Sequence, residues 1–294
     1  MTLNPKLQMA YQECGRITKK EATNFYYAFL TLPKHRRRAI YAAYAFCRYC
    51  DDAVDDQSSM DSKLESVNLL REKLRLSYVG EAVDPIFVCL GDVAKQFDIP
   101  QEYFEAVLMG VESDLIKTRY QNFDELKQYC YQVASVVGLI CIQIFGYRDA
   151  IAKTYAIDLG LAMQLTNILR DIQEDVLMDR IYLPQEELER FNYSEEDLKA
   201  GIVNNQFKEL MMYQSTRARN YFENGFRLSS YLSVRSRACP IALGGMYKMI
   251  LGRIETCNFD VFHNRINLGT GEKIKIMVNS LLLSLVPNWA RKLK

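Results

Sequence analysis

Apolar residues recur along this chain with a period close to 3.6, the spacing that turns one stripe of a helix toward a core. Residues 34–54, KHRRRAIYAAYAFCRYCDDAV, begin just after Pro33 and carry Ile40, Ala43, Tyr44, Cys47 and Val54 near one stripe. The same pattern predicts helices over 62–78, from Asp84-Pro85 onward, and over 101–118, 123–145 and 149–179, then over 194–230 and 239–257. Pro85 suits a first helical turn. A break falls near Gly146, and Pro184 ends the extended RIYLP segment. Alternating, strand-like runs are nearly absent. No repeat, low-complexity tract or Pro/Gly/Ser linker divides the chain. The expectation is a single all-α domain over 1–294 with about ten helices, too long for a simple four-helix bundle.

Composition sharpens this picture. At ~150 residues per domain, 294 residues could make two domains. Yet Gly (14) and Pro (7) are scarce, so tight turns are few and long helices are favoured over a many-stranded sandwich. Lys and Arg (37) balance Asp and Glu (36), which leaves no basic footprint for nucleic acid. Two histidines, His35 and His263, exclude multi-histidine metal cages. The scattered cysteines read as reduced cytosolic thiols, and the lone Cys47–Cys50 pair as two positions of one helix. The start is too polar for a leader, and no run of 18 apolar residues is present to span a bilayer.

Two constellations carry chemistry. In Arg48-Tyr49-Cys50-Asp51-Asp52-Ala53-Val54-Asp55-Asp56, helical spacing pairs Asp51 with Asp55 and Asp52 with Asp56, with Tyr44 and Arg48 continuing the ladder. A solvated acidic turn would read the same, but the flanks YAAYAFC and AV are apolar and demand packing. In the second, Gln164, Asn167, Asp171 and Asp175 form one stripe of a helix whose other faces carry Leu161, Leu165, Ile168, Leu169 and Ile172. Buried amides and carboxylates need partners or a metal. Oxygen-only ligands suit a hard cation such as Mg2+, which takes one or two carboxylates plus substrate phosphates. Two such stripes facing each other would hold a diphosphate and assist its departure from an allylic carbon.

The pairing of YAFCRYCDDAVDD with QLTNILRDIQEDVLMDRIYLP resembles the squalene/phytoene synthases, the head-to-head prenyl synthases. NFYYAFLTLP, GVESDL, YCYQVASVVG and RIETCNFDVFHNR extend the resemblance over nearly the whole chain. It implies an all-α isoprenoid-synthase fold around a central apolar cavity, an Mg2+ requirement, and joining of two prenyl diphosphates through a cyclopropyl intermediate. It implies metal ligation by Asp51, Asp55, Asn167, Asp171 and Asp175, with Asp52 accessory. Gln164 matches a site-lining amide. Arg48, Arg170, Arg180 and Arg265 match diphosphate contacts, and Tyr44, Tyr131, Tyr182 and Tyr247 match tyrosines near the cation or leaving group. Each of these arginines could equally pair with a neighbouring carboxylate, and each tyrosine could be core. Glu112 and Asp114 form a weaker third acidic element. Departures are Asn24 where serine is usual before Phe25, Gln173 in place of glycine, and Ser135 in place of glycine.

Phe25 and Phe29 stand one turn apart and are expected to shorten the cavity, favouring farnesyl diphosphate and a C30 product, with phytoene from geranylgeranyl diphosphate as the alternative. Reduction to squalene would need NADPH. No GxGxxG follows a strand, although the reducing members of the family use none. A head-to-tail prenyltransferase or cyclising terpene synthase would keep the fold, but DIQED within NILRDIQEDV favours the head-to-head class. A helical scaffold with solvated acidic faces is the non-enzymatic competitor. The tail, 273–294, mixes Leu, Val and Met with Trp289, Arg291, Lys292 and Lys294. It reads as a final core helix with a basic end, with peripheral membrane contact as the alternative.

Overall fold

Helix starts in this chain are set by short polar side chains and by proline. Asn4 accepts a hydrogen bond from the Lys6 N–H (3.0 Å) and opens α1 (Pro5–Glu21). After α2 (Phe25–Phe29), Pro33 precedes α3 (Lys34–Asp52), and Ser59 caps α4 (Met60–Val79), which Gly80 ends with φ 81°. Asp84 caps α5 (Pro85–Phe97) as its sequence predicts, and Pro100 precedes α6 (Gln101–Ile116). Asn122 caps α7 (Phe123–Cys130), which runs through a π turn, Tyr131–Ser135, directly into α8 (Val136–Phe145). Then come α9 (Ala152–Arg170), α10 (Ile172–Leu177), α11 (Gln185–Arg190), α12 (Glu195–Lys199), α13 (Asn205–Gly225), α14 (Val234–Thr256) and α15 (Thr270–Leu285). The computed structural model describes residues 4–22, 25–54, 59–264 and 266–286. Among them there is no strand, only the bridges Arg119–Ile181 and Tyr147–Leu232.

The all-α expectation holds, with more and shorter helices than the periodicity implies. The predicted helix over 149–179 breaks at Asp171 (φ −101°, ψ 15°), which separates α9 from α10. That over 194–230 splits where Gly201 takes φ 65°, and a 3-10 turn, Phe226–Ser230, follows α13. None of these breaks is marked by proline. Conversely, α14 continues through Pro240. The tail also differs from its predicted core role. Within α15 only Ser280 and Ser284 are buried and Ile276 packs half-buried against the core, while Ile274, Val278 and the leucines are exposed. Residues 287–294, with Trp289, lie outside the described residues.

The axis of the fold is α9, packed by α8, α13, α14 and the π turn. Its approach to the π turn is close enough to require glycine. A Cβ on Gly160 would stand 2.7 Å from both the Ala134 carbonyl oxygen and the Ser135 Cα. Ser135, where glycine was expected, is buried and donates its hydroxyl to the Ile157 carbonyl (2.9 Å), so it binds the two elements together. The helix Phe123–Phe145 is apolar and long enough to cross a bilayer, but it packs against α3, α6 and α9. Cys47 and Cys50 sit on one helix, α3, and both are free thiols.

Gly160→Ala should cost about 1–3 kcal/mol by overpacking a contact between two backbones. Denaturant unfolding with an unchanged slope and a lowered midpoint would register it.

Candidate active site

Stripes of α3, α6, α7–α8, α9 and α14, with Phe25 and Phe29 of α2 and Leu228, line a common cavity of about 410 Å3. On α3 the stripe is Ile40, Ala43, Tyr44, Cys47, Arg48 and Asp51; on α9 it is Ala156, Leu159, Gly160, Met163, Gln164 and Asn167. At 1.5 Å per residue each runs ~16 Å from an apolar far end to a polar mouth. Val107, Val111 and Asp114 of α6, Tyr129 through Phe145 of α7–α8, and Pro240, Leu243 and Tyr247 of α14 complete the wall with the same polarity. Ile40, Phe145, Leu228 and Pro240 line the far end, whereas Asp51, Asp114, Gln164 and Asn167 line the mouth. Asp51 of the first stripe and the amides Gln164 and Asn167 of the second therefore line one chamber, whereas Asp171 and Asp175 lie outside its wall.

At the mouth a second, polar cleft of about 800 Å3 adjoins the first, sharing Phe25, Tyr44, Asn167 and Tyr247. Arg170, Asp171, Gln173, Glu174, His263 and Asn264 line it, so Gln173 does bring a side chain to the site. The Arg170 fork grips both oxygens of Asp171 (Nε 2.6 Å, Nη2 2.5 Å). The Asn167 Nδ2 faces Gln164 Oε1 (3.3 Å), while its buried Oδ1 has no hydrogen-bond partner. Burial raises the Tyr247 hydroxyl pKa, with Arg170 and Asn167 drawing it back. Tyr44 is pushed up to about 12, mainly by burial, so it stays a neutral donor. Phe25 and Phe29 do line the cavity, and Phe25 also lines the polar cleft. The Phe25 ring lies 6.1 Å from those of Tyr44 and Tyr247, and the Phe29 ring 6.2 Å from those of Tyr41 and Tyr44.

Asp114, the weaker element by sequence, holds the mouth together. Its Oδ2 accepts from the Tyr129 hydroxyl and its Oδ1 from the Tyr182 hydroxyl, both at 2.9 Å. The two rings stack at 5.2 Å. Glu112 instead pairs with Arg71, away from this network. Asp175 lies behind the mouth in a recess with Arg180 and Tyr182. Its carboxyl is pushed up to about 7 by burial and by Asp171, Asp114 and Glu174, against the pull of Arg180.

Not every predicted residue reaches the cavity. Asp52 is half-exposed and ion-paired to Arg48 (2.5 Å), because α3 turns its position outward. Tyr131 starts the π turn and packs half-buried beside the core; Tyr129, two residues earlier, takes the buried place. The missed signal is the i+4 ladder Tyr129–Val133–Val137–Cys141. Arg180 borders the recess and not the cavity wall. Asn24, Asp55 and Arg265 lie outside the described residues.

Comparison with known proteins now bears on this geometry. The family described as squalene/phytoene synthase matches residues 18–272. A 15-cis-phytoene synthase of Synechococcus elongatus is 36% identical over 91% of this chain and 91% of its own length. Phytoene synthase 1 of Zea mays is 38% identical over 91% of this chain and 67% of its own. Among solved structures, a dehydrosqualene synthase superposes with TM-score 0.87 at 30% identity, covering 94% of this chain and 97% of that one. The squalene synthase HpnC of Alicyclobacillus acidocaldarius gives 0.83 at 27% identity, covering 87% and 97%. With its paired acidic helices facing across an apolar cavity, the chain belongs to the squalene/phytoene synthase family, prenyltransferases that condense prenyl groups head to head.

Proposed function

We propose that this chain condenses two molecules of geranylgeranyl diphosphate, through prephytoene diphosphate, to phytoene. The observation that carries the chemistry is the meeting of the Asp51 and the Asn167–Asp171 stripes at the mouth of one apolar chamber. The choice of the C20 substrate rests on the relatives named phytoene synthase, at 36% and 38% identity over most of this chain. The expectation of a C15 substrate rested in part on Phe25 and Phe29 shortening the cavity. Phe25 reaches the polar cleft at the mouth, Phe29 packs on Tyr41 and Tyr44 along the wall, and Ile40, Phe145, Leu228 and Pro240 line the far end. A farnesyl-specific second reading draws support from the likeness to the dehydrosqualene synthase. In the phytoene reading no hydride donor is needed.

The residues at the mouth fit a hard divalent cation. Their candidate donors are oxygens, the buried Asn167 Oδ1 has no partner, and in the adjoining recess burial, then Asp171, push the Asp175 carboxyl up to about 7 against the pull of Arg180. Asp51, Asn167, Asp171 and Asp175 would hold it, joined by Asp55 if the first motif acts as a unit. A divalent ion held there would supply positive charge against a departing diphosphate.

The chain's own groups do the rest. Arg48 and Arg170, each now engaged by a carboxylate, carry planar forks suited to diphosphate oxygens. The Tyr44 and Tyr247 hydroxyls remain protonated and donate to the same region. Val107, Val111, Val133, Val137 and Leu243 exclude water that would capture an allylic cation. The faces of Phe25 and Phe29 offer negative quadrupoles to that cation.

Incubation with Mg2+ and either farnesyl or geranylgeranyl diphosphate, followed by mass identification, decides the substrate. Phytoene should dominate, and exclusive C30 products would overturn the C20 assignment. Phe145→Trp, which fills the far end, should shift the preference toward the shorter diphosphate.

Asp51→Asn and Asp171→Asn should each lower product formation at least ~100-fold. Far-UV circular dichroism melts should stay near wild type, since neither side chain is part of the core. Full turnover by either variant would remove that residue from the machinery.

Asp175 makes a prediction about stability. Between its unfolded value of ~4 and its folded value of about 7, the native state keeps a proton that the unfolded chain has lost. Stability therefore falls as pH rises through that window. Without divalent ions, Asp175→Asn should raise the thermal midpoint at pH 8 by ~2–4 °C and leave it unchanged near pH 3. Mg2+ should raise the wild-type midpoint more than the variant's.

A further inference from the structure

The connection from α10 to α11 carries two side chains on which the mouth depends. Tyr182 gives its hydroxyl to Asp114 (2.9 Å), and Arg180 draws the Asp175 carboxyl toward its charged form against burial. Both residues lie between helices, so no helical ladder fixes their backbone. The segment is sewn instead to the connection between α6 and α7. The Ile181 N–H donates to the Thr118 carbonyl (2.9 Å), the Gln185 N–H to the Tyr120 carbonyl (2.9 Å) and the Glu186 N–H to the Gln121 carbonyl (3.0 Å).

Arg119 lies at the centre of this seam. Its Nη1 donates to the Thr118 carbonyl (2.9 Å) and to the Asp179 carbonyl (2.6 Å), and its Nη2 to Asp179 Oδ1 (2.8 Å). Its Nε reaches both carboxylate oxygens of Glu195 on α12 (3.0 and 3.1 Å). One planar fork thus joins three segments that are far apart in sequence. A lysine could supply the charge but not this set of directed donors. Neither cavity nor cleft is lined by Arg119, so it touches the site only through the segment it holds.

Asp179 shows what the fork is holding. α10 ends in the paired hydrogen bonds of a Schellman motif, from the Arg180 N–H to the Asp175 carbonyl (2.8 Å) and from the Asp179 N–H to the Val176 carbonyl (3.0 Å). The left-handed position of that motif is usually glycine, yet here it is Asp179 with φ 55°. Glycine would adopt this backbone with less strain, but it would offer no carboxylate to Arg119. The residue clamped by Arg119 is the one that turns the chain from α10 into Arg180. Its orientation sets where the Arg180 side chain starts.

We propose that Arg119 is a positioning residue of the site: by clamping Asp179 it places Arg180 and Tyr182 at the mouth and thereby sets the affinity for a diphosphate accompanied by divalent ions. The inference rests on the diphosphate reading of the mouth. Its test is calorimetric titration of the full chain with inorganic diphosphate in the presence of Mg2+. Arg119→Gln should raise the dissociation constant at least ~5-fold. Added to an Arg180→Gln/Tyr182→Phe background, the same substitution should change it by no more than ~2-fold, because the clamp then has nothing left to place. Asp179→Gly separates positioning from stability. It removes a carboxylate from the fork while relieving a left-handed residue, so the thermal midpoint should hold or rise while the dissociation constant rises at least ~3-fold. That variant carries the test alone if Arg119→Gln does not fold. Unchanged diphosphate affinity in both variants overturns the proposal. So does a loss of affinity that multiplies in full with Arg180→Gln/Tyr182→Phe, because Arg119 then acts through the fold at large. Binding of inorganic diphosphate is read without turnover or prenyl chain, so a failed condensation assay refutes the proposed reaction and leaves this result standing.

Discussion

The structure is organised by a conflict between charge and grease. Carboxylates on α3, α6 and α10, and at the junction of α9 with α10, gather where an apolar chamber opens, and a carboxylate taken from water there needs partners. The chain answers residue by residue. Asp114 receives two tyrosine hydroxyls, Asp171 the Arg170 fork, and Asp52 the Arg48 fork from the outer side. Asp175 has Arg180 as its counterweight and still stands about three units above an ordinary aspartate. A scaffold protein would gain stability by replacing such residues with amides or leucines. That this chain keeps them at the entrance of a cavity is the physical reason to read the site as one that waits for a multiply charged ligand and its cations.

Geometry at the mouth depends on how closely α9 can be approached. Gly160 lets the π turn of the α7–α8 helix reach the backbone of α9, and Ser135 ties the contact with a hydrogen bond. The π turn also resets the face of that long helix. Tyr129 is thereby held against Asp114, while Val133, Val137 and Cys141 continue down the wall. One glycine contact and one irregular turn thus connect core packing to the placement of a buried carboxylate.

The helical stripes were legible because the period of 3.6 is a property of the local chain. Asp51 and the Gln164–Asn167–Asp171 series needed no tertiary knowledge to be aligned. What required the fold was everything decided by a second element. Asp114 and Glu112 are two residues apart and equally acidic, and only packing sends one to the tyrosines and the other to Arg71. The break at Asp171 carries no glycine or proline, so periodicity ran through it. Phe25 and Phe29 were expected to shorten the cavity, but ring size does not tell where along the wall a ring sits. The contact of Phe25 with Tyr247, which lines both cavity and cleft, does. In α15 the apolar count suggested a core helix, and the serines chosen for the inner face reversed that reading.

The two ends of the chamber also set the direction of traffic in the proposed reaction. A prenyl diphosphate enters with its polar head held by arginines and carboxylates at the mouth and its chain sunk among valines and leucines. Once both diphosphates have left, the product has no group for the mouth to hold. At ~0.8 kcal/mol per methylene, moving so long a hydrocarbon from the chamber into water would cost tens of kcal/mol. Release must therefore proceed into another apolar phase.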